Sequence, residues 1–474
     1  MSSLTADLDR FVEDVRRHYR VPGIAVAIVR GGQVIHVAAY GLRRLGSDAT
    51  ADIDTAFAIG SCTKAVTSAV AAALVDDGKF GWDDRVRTYL PDFQLHDPWI
   101  SDHVTIRDLL ANRTGLSRAS VGEYGSDLSR ADILQRTQTI PSACGFRDQF
   151  AYCNIGFVAA AEAMAQCSGA TFDRLVDQHI LRPLGMTASR VGGSAVVTDN
   201  VAVPHYPIDG EVRPVPAMVT DNLLGALGMM MSARDAARWL AFHLGEQARR
   251  SAIAETHLLQ IAKRDRRLDE GYGLGWYVRN RRVQHEGAQR GFRANIWCDL
   301  EAGTGIFVAT NLGIGRAHFA ITNHIIQRCR GETLLDWIAE IDRLDQCELN
   351  QRMASFVQER RDRPISSSGL RLNDFTGTFR HPGFGVLRID SRGDHLWFRI
   401  EHLSGFDGPL MRYSAMGFEY QGDRDSMAWP PLAIPREPRG DCARVQFRAE
   451  NGVVNGLAWS DWFGTAHFFR DRTG

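Results

Sequence analysis

The chain has 474 residues, too many for one ordinary domain, and 44% hydrophobic with 23% charged content marks an ordinary globular protein built of two or three. A formal net charge of −1 excludes capture of nucleic acid or of an anionic membrane by bulk electrostatics. No stretch approaches about 18 uninterrupted apolar residues, which excludes a membrane-spanning helix.

The first ten residues carry neither a basic cluster nor an apolar run, so no secretory leader is read there. Residues 4–20 place Leu8, Phe11, Val12 and Val15 on one face, an amphipathic helix ended by Pro22-Gly23. Ile24 to Val29 and Gln33 to Val37, joined by Gly31-Gly32, read as a hairpin. Residues 62–78 read as a helix stopped at Asp76-Asp77-Gly78. Short helices are expected over 82–90 and 105–110, and longer ones over 158–166 and 171–180, the last closing at Pro183-Leu184-Gly185. Strand signals return at 274–278, 293–298 and 306–310, so one sheet is assembled from both ends of the first ~330 residues. Helices follow over 331–360, then a linker at Pro364 to Gly369. From Phe375 the chain reads as short alternating strands with turns at Gly393-Asp394, Gly422-Asp423 and Asn451-Gly452, a small antiparallel barrel or sandwich. The expected units are 1–330, a helical connector and linker over 331–369, and a β unit over 370–474.

Lysine occurs only at Lys64, Lys79 and Lys263; every other basic side chain apart from histidine is an arginine. A guanidinium stays protonated and cannot serve as a base, so the lysines stand out. Ser61-Cys62-Thr63-Lys64 is the one Ser-x-x-Lys in the chain and falls at a helix start, where positions i and i+3 share a face. A free amine, with a pKa of about 10.4, is a poor base at neutral pH, but burial and helix dipoles lower that value. The same helix terminus directs backbone N–H groups toward a developing oxyanion. Tyr152-Cys153-Asn154 is the one Tyr-x-Asn, and supplies a phenol able to share proton transfer and an amide able to orient lysine and substrate. His285-Glu286-Gly287-Ala288 lies between strand candidates; its glycine allows close backbone approach and its Ala288 N–H can serve as an oxyanion donor. Taken singly, each has an ordinary reading: a capping serine beside a solvated lysine, a turn tyrosine, a strand end.

In this order the three elements resemble the β-lactamase-related serine hydrolases, a group that includes class C β-lactamases, D,D-carboxypeptidases, D-aminopeptidases and esterases. Leu109-Leu110-Ala111-Asn112-Arg113-Thr114-Gly115-Leu116, Pro183 to Met186 and Tyr272-Gly273-Leu274-Gly275-Trp276 look like further landmarks, so the resemblance covers roughly residues 5–330. It implies an α+β fold of the β-lactamase/transpeptidase type, an antiparallel sheet flanked by helices plus an all-helical region. The β unit, with Phe375-Thr376-Gly377-Thr378-Phe379, is similar to the lipocalin-like modules appended to some relatives. The resemblance gives Ser61 the role of acyl-enzyme nucleophile, Lys64 and Tyr152 proton transfer, and Asn154 positioning. His285 stands where many relatives carry the lysine of Lys-Thr-Gly, Gly287 closes that motif, and the Ser61 and Ala288 amides form the oxyanion hole. Histidine there is closer to the esterase and D-aminopeptidase branch; Arg290 or Arg293 is a candidate for the missing charge, and Glu286 should point away from the cleft.

The function implied is hydrolysis of an ester or amide, esterase-like or D-peptidase-like, on a small-molecule or short-peptide substrate. A β-lactamase, an acyltransferase or a non-catalytic protein retaining the fold are the alternatives. No cofactor or metal is called for: the histidines form neither H-x-H nor H-E-x-x-H, and no Gly-x-Ser-x-Gly points to another hydrolase fold. Eight scattered cysteines without a C-x-x-C pair imply a reducing, cytoplasmic setting. A homo-oligomer is compatible with all of this.

Overall fold

The computed structural model describes residues 7–116, 126–192, 200–208, 210–263, 270–362, 369–402, 407–412, 415–420, 444–461 and 464–471. Helix α1 (Leu8–His18) buries Leu8, Val12 and Val15, the stripe its spacing predicts. Strands β1 (Gly23–Arg30) and β2 (Gln33–Gly41) form the hairpin. Helices α2 (Thr63–Asp76), α3 (Ile106–Leu110), α4 (Arg130–Arg136), α5 (Asn154–Ser168) and α6 (Ala233–Leu244) fill the middle of the chain. Strands then return as β3 (Ile261–Ala262), β4 (Gly271–Tyr272), β5 (Tyr277–Arg279), β6 (Arg282–Gln289), β7 (Phe292–Asp299) and β8 (Thr304–Thr310). They are followed by α7 (Ala317–Arg330) and α8 (Trp337–Asp362).

The eight strands form one sheet in the order β2-β1-β8-β7-β6-β5-β4-β3. Its closure is the antiparallel pairing of β1 with β8, Val26 opposite Val308, which joins the two ends of the segment. β1 is apolar without alternation because both faces of the sheet are covered. Ala25, Ala27 and Val29 pack into the core shared with α2, α5 and α6, while Ile24, Val26 and Ile28 pack into a second core with α1 and α7. Among the described residues, no helix is long and apolar enough to cross a membrane.

Two local expectations give way, one to long-range backbone pairing and one to a tight turn. Over 82–90 only a 3₁₀ turn forms, Val86–Thr88, because Arg85 is extended in a bridge with Thr105 and Val86 N donates to Val104 O. The run 274–278 is not one strand: Gly273 N donates to Trp276 O (2.8 Å), making a tight turn between β4 and β5. The helix expected over 171–180 is α-helical only at Phe172–Val176 and continues as a π turn. The linker at 364–368 and the turn at 422–423 lie outside the described residues.

Strands β9 (Gly377–His381), β10 (Gly385–Arg392), β11 (His395–Ile400), β12 (Asp407–Arg412), β13 (Gly417–Tyr420), β14 (Arg444–Glu450), β15 (Val453–Asp461) and β16 (Gly464–Arg470) form a closed antiparallel barrel. Phe379 opposite Arg470 closes it, which leaves no open edge. Phe375, Phe379, Phe398, Phe447, Trp459 and Phe468 fill its interior. The barrel touches the helical region at α4 and its flanks: Asp127 N donates to His402 O (3.3 Å) and Arg136 Nη1 to Gly383 O (3.2 Å). Because Phe398 is fully buried, Phe398→Ala should cost about 3–5 kcal/mol of barrel stability. Equilibrium denaturant unfolding followed by tryptophan fluorescence measures it.

Candidate active site

A 3₁₀ turn, Gly60–Cys62, feeds into α2, so Ser61 sits at the positive end of a long helix while Lys64 lies on its first turn. α2 is buried nearly all round, which draws Lys64 into the interior with no exposed surface. Its Nζ is 3.1 Å from Ser61 Oγ, 2.8 Å from Asn154 Oδ1 and 3.2 Å from Ala226 O. The last two oxygens only accept. They occupy two positions around the nitrogen, and the third faces the serine hydroxyl. With the amine neutral, its lone pair stands in that third position, where the Ser61 hydroxyl can donate to it.

Asn154 opens α5, and Tyr152 lies just before it; the Lys64 nitrogen stands 4.8 Å from the Tyr152 ring centroid. The loop carrying Tyr152 is fixed by Asn112, whose backbone is left-handed (φ 53°), a conformation asparagine tolerates. Asn112 O accepts from Ala151 N (2.8 Å) and Asn112 Oδ1 from Cys153 N (2.9 Å), so both neighbours of Tyr152 are pinned.

Strand β6 closes the other side. It pairs with β5 only over Arg282–Gln284, leaving the edge from His285 to Gln289 free of that neighbour and turned to the Ser61 turn. Backbones touch there. A Cβ on Gly287 would lie 1.8 Å from Ile59 O, and one on Gly60 (φ 51°) 2.7 Å from Ala288 N. The glycines therefore bring the Ala288 amide beside the turn that carries the Ser61 amide, an arrangement that can hold an oxyanion.

His285 is almost fully buried, and its ring is committed to the protein. Nδ1 lies 2.7 Å from Glu286 O, a pure acceptor, so Nδ1 carries the hydrogen; Tyr272 Oη (3.1 Å) then donates to Nε2. Burial, with Lys64 nearby, depresses its pKa from 6.5 to about 3, so the imidazole is neutral. Burial keeps the Tyr272 phenol protonated.

Glu286 projects to the opposite face, where a carboxylate oxygen lies 3.4 Å from His318 Nε2 of α7. Arg293 shares that face: it pairs with Ala288, which alternates with Gly287, and its charge acts on Glu286. It does not stand beside His285 on the Ser61 side. Three participants in the arrangement were not singled out in the sequence. The Ala226 carbonyl has no side-chain signature, while Asn112 and Tyr272 lie inside stretches read only as landmarks.

The sequence profile of the family described as Beta-lactamase matches residues 8–327. The unguisins hydrolase of Aspergillus campestris is 26% identical over 81% of this chain and 78% of its own length. Penicillin-binding protein 4 of Amycolatopsis lactamdurans is 27% identical over half of this chain and 63% of its own length. Among solved structures, the octameric penicillin-binding protein homologue from Pyrococcus abyssi superposes with a TM-score of 0.62 at 18% identity, covering 98% of this chain and 99% of that one.

His285 and His257 (lowered to about 4) are neutral when folded but charge below about 6.5 when unfolded. The unfolded chain therefore binds more protons between those values, and stability falls as pH drops from about 6.5 toward 4, by about 1.4 kcal/mol per pH unit for each group. Urea unfolding at pH 7.5 and 5.5 measures the loss. In ¹⁵N NMR, His285 should keep the neutral Nδ1-H form throughout; a signal titrating near 6.5 would contradict its placement.

Proposed function

The chain belongs to the Beta-lactamase family, and on that premise we propose that it is a serine hydrolase cleaving an ester or amide through an acyl-enzyme on Ser61. The observation that carries this reading is the buried Lys64 amine, held by Asn154 Oδ1 and Ala226 O with its remaining position on Ser61 Oγ. Lys64 takes the serine proton as Ser61 attacks the carbonyl, and Tyr152, packed against the amine, assists its passage to the leaving group. The Ser61 and Ala288 amides stabilise the tetrahedral oxyanion. Water then releases the acyl group.

Neutral His285 acts by shaping this edge with Tyr272 rather than by binding charge. Residues 1–330 form the catalytic unit in this reading, 331–369 the connector and 370–474 an accessory β unit. The scattered spacing of the eight cysteines supports placing the reaction in a reducing, cytoplasmic compartment.

Ser61→Ala should abolish hydrolysis of 4-nitrophenyl acetate, and Lys64→Arg, which keeps the charge but cannot accept a proton, should lower kcat by about a thousandfold or more. Mass spectrometry after incubation with a fluorophosphonate should place the adduct on the peptide containing Ser61. An unchanged rate in Ser61→Ala refutes the reading.

A further inference from the structure

Of the three lysines, Lys64 is inside the site and Lys79 pairs with Asp77 at the surface (3.3 Å). Lys263, the third, follows β3, with its backbone N–H donating to Glu270 O (2.8 Å) and its side chain half-buried. Its Nζ stands 5.4 Å from the centroid of the Tyr277 ring, a cation–π contact. Tyr277 in turn lies 5.3 Å from the His285 imidazole and 5.9 Å from Phe150, and Phe150 is 6.4 Å from Tyr152. A continuous aromatic wall therefore runs from the amine beside Ser61 to a second ammonium.

Three arginines of this region are already neutralised. Arg107 is bound to Asp83 and Glu255, and Arg113 and Arg147 both bind Asp108. Among the described residues, no carboxylate lies within ion-pair distance of Lys263. His285 offers nothing to an anion, because it is neutral and both ring nitrogens are engaged. A negative group lying along the wall thus meets, at Lys263, a positive partner that no described carboxylate occupies. An ammonium parked on an aromatic face exchanges that contact for a carboxylate at little cost, since a charge-assisted hydrogen bond is the stronger interaction.

We propose that Lys263 is an anion subsite, and that the substrate carries a carboxylate separated from its scissile carbonyl by an apolar or aromatic portion that rests on Phe150, Tyr152 and Tyr277. This rests on Ser61 being the nucleophile. The test compares 4-nitrophenyl hydrogen adipate with its methyl ester, which differ by one charge, on the wild type, Lys263→Met, Lys263→Arg and Ser61→Ala. The wild type should favour the free acid about tenfold in kcat/KM, chiefly through KM, and added salt should erode the preference. Lys263→Met should abolish the preference while leaving the methyl ester rate unchanged, and Lys263→Arg should retain it. Equal preference in wild type and Lys263→Met overturns the subsite and leaves the Ser61 reading standing. Wild-type rates in Ser61→Ala remove both.

Discussion

An amine with no exposed surface beside a serine hydroxyl is the constraint around which this molecule is arranged. Burying an ammonium without compensation costs several kcal/mol, so Lys64 is tolerable only while oxygen acceptors surround it. Those acceptors come from three separated stretches: Ser61 before α2, Asn154 at the start of α5, and Ala226 in the chain beyond Asp221–Leu223. The first and the last are tied to each other. Thr67 Oγ1 donates to Gly225 O (2.6 Å) and so fixes the peptide next to Ala226, while Met229 N donates to Thr63 Oγ1 (3.2 Å). The short pairing of Phe57 with Met231 ties the approach to Ser61 to the same stretch. Helix α2 thus supplies both the lysine and the hydroxyls that hold the lysine's acceptor in place.

Strand β6 meets a different demand, that two backbones approach more closely than any side chain allows. Gly60 and Gly287 satisfy it, and the shortened pairing with β5 leaves amide edge available where it is needed. The residues between and around the glycines work in opposite directions across the sheet. His285 and Tyr272 seal the site side with neutral, mutually satisfied groups, while Glu286 and His318 anchor the reverse side to α7. Neutral sealing has a chemical consequence. With His285 neutral, the positive potential beside Lys64 is that of the α2 N-terminus, on whose first turn the lysine lies.

The parts of this arrangement that were legible in the sequence are those set by local spacing. Ser61 and Lys64 share a helix face because they are three apart, and the hairpin, α1 and the closing strands follow from apolar periodicity and turn residues. The way the three motifs meet is not local. Nothing in Tyr152-Cys153-Asn154 states that Asn154 Oδ1 reaches Lys64, and a carbonyl such as that of Ala226 carries no letter at all. Asn112 acts through a left-handed backbone and two hydrogen bonds, features visible only once the chain is folded. Of the segments misjudged locally, 82–90 and 274–278 are those whose backbone groups find long-range partners or a tight turn. The turn at Gly275 is required by Lys64 itself, since a Cβ there would lie 2.6 Å from the Lys64 carbonyl oxygen.

The barrel obeys a separate logic. Its aromatic core shares no residue with the two cores of the sheet, and among the described residues it is hydrogen-bonded to the helical region through Asp127, Arg136 and their partners. The His402–Asp127 contact (2.9 Å) involves a largely exposed carboxylate, so it contributes about 0–1 kcal/mol and does not by itself fix the barrel. Closing the barrel leaves no strand edge that the helical region would have to cover. The position of the footprint matters more than its strength. It falls on residues 127–139, immediately after Ser126, whose hydroxyl and carbonyl both accept from Asn222 Nδ2 (3.2 Å), and Asn222 lies on the stretch that delivers Ala226 to Lys64. Arg130 of α4 reinforces the same joint by donating to Asp221 O (2.8 Å). The barrel therefore rests against the segment that is hydrogen-bonded to the stretch delivering Ala226 to Lys64.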